Sequence, residues 1–242
     1  MDRLLTAAAS GMAARMSTLD LLANNLANAG ATGYKSDREA YSTYLSPETA
    51  VGDDMARLPV VDHRWTDFSQ GLLQSTGNQS DLALSGDGFF AVDGPSGPLY
   101  TRNGKFTVSP KGILETADGY AVATASGRPL KLDLALPFNV GADGVVRQSG
   151  AEIDRLKVVR FTTPESLTKR NGTYFQWLSP QAMPALSSGA QVLQGQLESA
   201  NAITAQGAVR IVSVLREFEM LQKALTMGGE MNRRAIEDVA KV

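Results

Sequence analysis

Chemistry in this chain has few residues to draw on. It carries one histidine, His63, so a His-based triad or a multi-histidine metal site has a single candidate. Asp62 sits beside it, but sequence neighbours point apart and do not form a dyad. His63 is expected at a surface or in a turn. Asp81 and Asp87 are the other carboxylates that draw notice. No second element with ligand spacing accompanies them, so calcium has no support. Their expected work is turn stabilisation, since an Asp side chain bonds nearby backbone N–H groups. A hydrolase built on the two would need an oriented nucleophile and an oxyanion site, and the sequence supplies neither. Gly86-Asp87-Gly88-Phe89-Phe90 fits neither G-x-G-x-x-G nor G-x-x-x-x-G-K-[ST], and no helical pattern follows. It reads as a tight turn feeding a buried strand. With 0 cysteines, disulfides, thiolate metal sites and Cys nucleophiles are excluded. No metal site is read from these residues.

A different chemistry is suggested by Asn24, Asn25 and Asn28. Asn is a poor helix former because its amide competes for backbone hydrogen bonds. Three of them near the end of an apolar helical stripe cost helix stability, so something outside the local helix is expected to use those amides. Residues 3–28 read as one amphipathic helix. Leu5, Met12, Leu19 and Leu26 are seven apart, a coiled-coil spacing. Met1, Ala8, Arg15 and Leu22 form a companion series in which Arg15 is the misfit. Alanines at 7, 8, 9, 13 and 14, with Gly11, make the first half slim. Gly30 and Gly33 are expected to end the helix.

A second helix is expected over 201–242. Ile211, Val214, Phe218, Leu221 and Leu225 alternate by three and four, giving an a/d seam, and Gly228-Gly229 should weaken or kink it. Between the helices lies β punctuation. Asp87-Gly88, Asp93-Gly94, Asn103-Gly104, Asp118-Gly119, Asp143-Gly144 and Asn171-Gly172 are turn dipeptides. The runs 89–92, 105–108, 120–123 and 156–161 read as short strands. Residues 180–196 read as a return linker, and 34–75 as a partly extended connector with short strands, broken at Pro47, Gly52 and Pro59.

The expected fold is therefore α+β. N- and C-terminal helices pair as a coiled-coil stalk, and a central, mainly antiparallel β domain is inserted between them. The expected segments are a helical arm at 1–33, a connector at 34–75, a β domain at 76–196 and a second arm at 197–242. Of the 242 residues 43% are hydrophobic and 20% charged, enough for a sizeable core. The net charge of −2 gives no case for nucleic acid. No run approaches the roughly 18 apolar residues of a membrane helix. Ser10, Gly11, Arg15 and Asp20 interrupt the N-terminal apolar residues, so no cleaved signal peptide is expected. Tyr100, Tyr120, Tyr174 and Trp177 could form a carbohydrate- or protein-binding platform on a coiled-coil stalk, although core packing is the preferred reading of them.

Three stretches resemble one family. The first is Ala23-Asn24-Asn25-Leu26-Ala27-Asn28-Ala29 with Thr32-Gly33-Tyr34-Lys35. The second is Thr76-Gly77-Asn78, Asp81-Leu82-Ala83-Leu84, Gly86 to Val92, then Tyr100-Thr101-Arg102-Asn103-Gly104-Lys105-Phe106. The third is Gln194-Gly195-Gln196-Leu197-Glu198-Ser199-Ala200-Asn201, followed by Arg216-Glu217-Phe218-Glu219-Met220. Together they resemble the bacterial flagellar basal-body rod and hook proteins, of the FlgF and FlgG type. The resemblance implies a structural subunit that polymerises helically as a drive shaft across the periplasm. It implies an inner layer of paired terminal helices and an outer β domain, with no enzyme activity and no cofactor. The implied partners are further copies, other rod and hook subunits, basal-body ring proteins and the flagellar type III export apparatus, with no direct membrane insertion. The assembly interface would then fall on Leu5, Met12, Leu19, Asn24, Asn25, Leu26 and Asn28 of the first helix and on Ile211, Val214, Phe218, Leu221 and Leu225 of the second. The chain departs from the family pattern at 200–207, where Ala200-Asn201-Ala202-Ile203 stands in place of Ser-Asn-Val-Asn.

Overall fold

The computed structural model describes residues 2–45, 57–178, 185–186, 189–202 and 204–239. The chain forms two compact units. Unit 1 comprises Met1–Ala27, Asp37–Asp67 and Ile203–Val242, and unit 2 comprises Asn28–Ser36 and Phe68–Ala202.

Unit 1 contains the two helices, α1 (Asp2–Ala27) and α2 (Thr204–Val239), and a hairpin of β1 (Asp37–Leu45) and β2 (Arg57–Thr66). Alanine and leucine, the strongest helix formers, dominate α1. The seam expected on Leu5, Met12, Leu19 and Leu26 is not the most buried face. That face carries Ala8, Gly11, Ala14, Thr18, Leu21 and Leu22, the slim companion side of the helix. Gly228-Gly229 leaves α2 as one continuous helix of 36 residues.

The hairpin corrects two expectations. Its strands are 9 and 10 residues long, not short. Pro59 does not break the chain but pairs with Thr43 inside β2. A two-stranded ribbon has an open edge on each strand, so a missing N–H is tolerated there.

Unit 2 is built of antiparallel strands. A six-stranded sheet runs β13 (Leu167–Asn171), β14 (Tyr174–Trp177), β6 (Gly97–Thr101), β5 (Phe89–Gly94), β12 (Val158–Arg160), β15 (Ala185–Leu186). A three-stranded sheet runs β11 (Ala151–Arg155), β10 (Val145–Gln148), β9 (Phe138–Val140). Three further pairs are β4 (Leu82–Ser85) with β16 (Gln191–Gln194), β3 (Leu73–Ser75) with β17 (Gln196–Glu198), and β7 (Phe106–Val108) with β8 (Leu114–Thr116).

Strand β5 explains how the unit is filled. Successive strand residues point to opposite faces. Phe90 and Val92 enter a core with Leu82, Leu84, Phe106, Leu114, Val122 and Val146. Phe89 and Ala91 enter a second core with Tyr100, Val159, Phe161, Leu167 and Phe175. A strand covered on both faces reads as an unbroken apolar run, and Phe89-Phe90-Ala91-Val92 is one.

Two expectations fail here. The stretch read as a return linker contains β15, β16 and the first residue of β17, and Val192 of β16 belongs to the first core. Gly and Gln weaken a strand pattern in sequence but do not stop a backbone ladder when the partner strand is present. Residues 179–184 and 187–188 lie outside the described residues. Residues 120–123 form isolated bridges, not a strand: Val92 with Val122, and Glu115 with Ala121. Of the aromatics, Tyr100 and Tyr174 are buried, while Tyr120 and Trp177 pack against the cores. Core packing, not a platform, is their place.

Candidate functional site

The helix pair holds the residues expected at an assembly interface. Leu21, Leu22 and Val214 form its buried cluster, with Leu19 and Ile211 partly buried against it. Phe218, Leu221 and Leu225 are half-buried on the same side of α2. Gly11 admits Leu221, since a Cβ there would meet Leu221 Cδ1 at 3.4 Å. Arg15, the misfit of the companion series, is explained: its Nε lies 2.9 Å from Glu217 Oε2. Met12 is half-buried, Leu26 is exposed and Met16 is exposed. The side chain of Leu5 lies outside the described residues.

Helix α2 carries a second apolar stripe. Val209, Met220, Met227 and Met231 are 60–69% exposed. At about 100° per residue these four fall within about 40° of one another, roughly opposite the Val214 seam. Val212 and Leu215 extend the exposed apolar surface.

The asparagines divide. Asn25 grips one residue: its Nδ2 donates to Asp37 O at 2.8 Å, and its Oδ1 accepts from Asp37 N–H at 2.9 Å. The amide thus stands in for a neighbouring strand at the start of β1, where Asp37 in turn accepts the Thr66 hydroxyl at 2.8 Å. Arg38 pairs with Asp67 at 2.7 Å, and Arg64 donates to Ser17. Asn24 is exposed, while the Asn28 carbonyl accepts Ala31 N–H at 2.9 Å. Part of the asparagine cost is therefore offset inside the chain.

Lys35, Arg102 and Glu198 stand within the family-like motifs, and nothing in their sequence spacing assigns them a role. In unit 2 they form one buried ion cluster. Lys35 Nζ lies 2.6 Å from Glu198 Oε1, and both side chains are 0% exposed. Arg102 Nη1 lies 3.4 Å from Glu198 Oε2. Gly71 N–H also donates to Glu198 Oε1 at 2.9 Å, and Lys35 Nζ to Ser69 O at 2.6 Å. Arg102 Nη2 donates to Gly86 O at 2.8 Å, and its guanidinium stacks 5.2 Å from the Phe89 ring. Burial pulls the Arg102 guanidinium below its usual range, while Glu198 and, more weakly, Asp87 pull it back up. Its Nε has no hydrogen-bond partner.

Glycine makes the cluster possible. Gly33 has φ +67°, and a Cβ there would lie 2.3 Å from Asn103 N, so no side chain fits. It does not cap α1, which ends at Ala27. Instead Gly33 N–H donates to Glu198 O at 2.7 Å, and Asn201 N–H donates to Tyr34 O at 3.2 Å. Asn201 Oδ1 accepts Ser36 N–H at 2.7 Å. Lys169 sits 4.5 Å from the Tyr34 ring and donates to Lys35 O. The signal in the sequence was the charge itself, one Lys, one Arg and one Glu each set among small and apolar motif residues.

The other chemical candidates dissolve. His63 is exposed on β2, opposite Ala40. Asp81 is buried and accepts the Thr76 hydroxyl at 2.7 Å, a local loop brace. Asp87 lies 3.6 Å from Arg160. Among the described residues no group of His, Cys, Asp and Glu could hold a metal, and no helix is long and apolar enough to cross a membrane.

Two family models match the chain. The flagella basal body rod protein model covers residues 5–35, the span of α1 and the turn to Lys35. The flagellar hook protein FlgE/F/G D1 domain model covers residues 83–148 of the β unit. The flagellar basal-body rod protein FlgF of Caulobacter vibrioides is 32% identical over 229 residues, 93% of this chain and 92% of that one. The chain belongs to the flagellar basal-body rod protein family. FlgF of Mesorhizobium japonicum is 29% identical over 83% of both chains, and FlgG of Bacillus subtilis 28% over 96% of this chain and 97% of that one. The rod-protein relatives are structural rod subunits. Within this rod protein the matched segments supply the ion cluster piecewise. Lys35 closes the first model's span and Arg102 falls in the second's, while Glu198 lies outside both.

Proposed function

We propose that this chain is a structural subunit of the bacterial flagellar basal-body rod, polymerising helically into the shaft that carries torque from motor to hook. The observation that carries the reading is the match to rod proteins along almost the whole chain at 32% identity. The helices support it. A pair of helices with three buried side chains in its cluster and a second, exposed apolar stripe on α2 has surface left for neighbours. In this reading α1 and α2 pair as a coiled-coil stalk, and the β domain is an insertion between them. Met12, Leu19, Leu26 and Asn24 on α1, with Phe218, Leu221 and Leu225 on α2, complete their packing against further copies. Leu5, Asn25, Asn28, Ile211 and Val214 hold that surface in register. A heterologous contact whose rotation does not close generates a filament.

Partners are further copies, other axial rod and hook subunits, the basal-body rings and the type III export apparatus. The protein stands in the rod and catalyses no reaction. A proximal, FlgF-type position is the better supported one, given the FlgF relatives at 29–32% identity. The test is deletion of residues 1–30 or 201–242 in the native bacterium. Loss of swimming and of rods in purified basal bodies is expected, and wild-type gene in trans should restore both. A truncated strain that still swims on complete basal bodies would overturn the proposal.

A further inference from the structure

We propose that the Lys35–Arg102–Glu198 cluster is a latch that opens and closes as one cooperative piece while the β core of unit 2 stays folded. The partners come from far apart in the chain. Lys35 and Glu198 are separated by 163 positions, Gly71 and Glu198 by 127, and Arg102 and Glu198 by 96. One carboxylate therefore ties four segments: 33–36, 69–71, 102 and 198–201. Each tie depends on the others, because a buried charge with one partner removed is strongly disfavoured. Arg102 without Glu198 loses its buried carboxylate, and Glu198 without Lys35 keeps only the longer 3.4 Å pairing to Arg102 in a dry site. Partial closure is consequently unstable, and the segments engage together or not at all.

The same chemistry makes the latch weaker than the core. Two buried cations face one carboxylate, and Arg102 Nε is an orphaned donor. Ion pairs in such a setting repay desolvation incompletely, whereas the core clusters are apolar and fully packed. Four backbone amides close across the knot: Gly33 N–H to Glu198 O, Asn201 N–H to Tyr34 O, Ser36 N–H to Asn201 Oδ1 and Gly71 N–H to Glu198 Oε1. All four involve Glu198, Asn201 or their neighbours across the knot, so opening releases all four amides at once. Local opening units of this kind sit below the global unfolding free energy.

Native-state hydrogen exchange on the full-length monomer reads the latch directly. In the wild-type protein, the amides of Gly33, Ser36, Gly71 and Asn201 should share one opening equilibrium. They should exchange at least about tenfold faster than Ala91 and Val122, with little urea dependence. Glu198→Gln keeps the shape and removes the charge. It should raise exchange at those four amides by about 100-fold and leave Ala91 and Val122 within about threefold. Lys35→Met should act on the same four amides. If the wild-type latch amides exchange with the rate and urea dependence of Ala91 and Val122, there is no separate latch and the proposal fails. It also fails if Glu198→Gln raises core and latch exchange in parallel. The wild-type measurement decides the matter even if a variant does not fold.

Discussion

Unit 2 and the helix pair of unit 1 spend apolar residues in opposite ways. Unit 2 buries a first core of 14 residues and a second of 7, with Phe68, Phe89 and Phe175 meeting edge to face at 5.2–5.9 Å. In the 36 residues of α2, the buried hydrophobic among the described residues is Val214, while Val209, Val212, Leu215, Met220, Met227 and Met231 stay exposed. Fully burying a Leu or Val yields about 1.5–3 kcal/mol, against about 1–2 kcal/mol per residue for ordering the backbone. A cluster of three therefore leaves a helix pair marginal. The β unit closes its apolar cores within the chain, whereas α2 keeps an exposed apolar stripe. The proposed rod-subunit role expects that difference between a scaffold and a polymerising surface.

The sharpest way to break this contrast is to trim unit 2. Residues 76–195 lie within the β domain expected from sequence, 76–196, but they omit β17, Glu198, Lys35 and the Phe68 ring. Losing the Phe68 ring from the second core should cost about 3–5 kcal/mol. Urea denaturation should show 76–195 far less stable than 68–202, which restores Phe68 and the β3–β17 pair. Equal midpoints would show that unit 2 ends where the sequence pattern ends. Next, Phe90→Ala empties the first core and should cost about 3–5 kcal/mol in the β transition, leaving helical circular dichroism little changed. Leu22→Ala should cost about 2–3 kcal/mol, confined to the helix pair, with a β transition unmoved. If Leu22→Ala lowers both transitions together, the two units are not energetically separate.

A pH prediction tests unit 2 alone. Tyr174 is buried and donates to Asp118 at 2.6 Å, and burial first, then this bond, pushes its phenol far above the ordinary range. The protonated phenol is the form the fold holds. Its contribution is complete below the unfolded value of about 10 and is lost as pH rises beyond it. Unit 2 should weaken above about pH 10, and Tyr174→Phe should flatten that decline; an unchanged alkaline slope would remove Tyr174 from the account. The smallest effect belongs to the helices. Arg15 and Glu217 are 37% and 42% exposed, so Arg15→Ala should cost under about 0.5 kcal/mol and the loss should shrink with salt.

Much of unit 1 was legible because helix periodicity and propensity are local. Residues 3–28 and 201–242 were read as helices, and α1 and α2 occupy nearly those spans. Leu and Met outrank Ala and Gly in hydropathy, yet the most buried face of α1 is the slim one with Ala8, Gly11 and Ala14, because small residues let helices approach closely. Turn dipeptides marked the β region, yet 191–194 escaped notice, since Gln-Val-Leu-Gln carries no alternation strong enough to outweigh its Gly- and Ser-rich surroundings.

The sequence by itself determined where helix and strand could form, that no thiol chemistry was available, and that three motifs mark a rod-like chain. The first two follow from composition and short-range spacing, and the third from the resemblance of those motifs to known rod and hook proteins. The tertiary structure alone decided what the motifs are for. Lys35, Arg102 and Glu198 look like three solvated charges in sequence, since nothing local can supply a partner 163 or 96 positions away. Only folding removes water from all three at once, and a charge without water takes the nearest opposite charge.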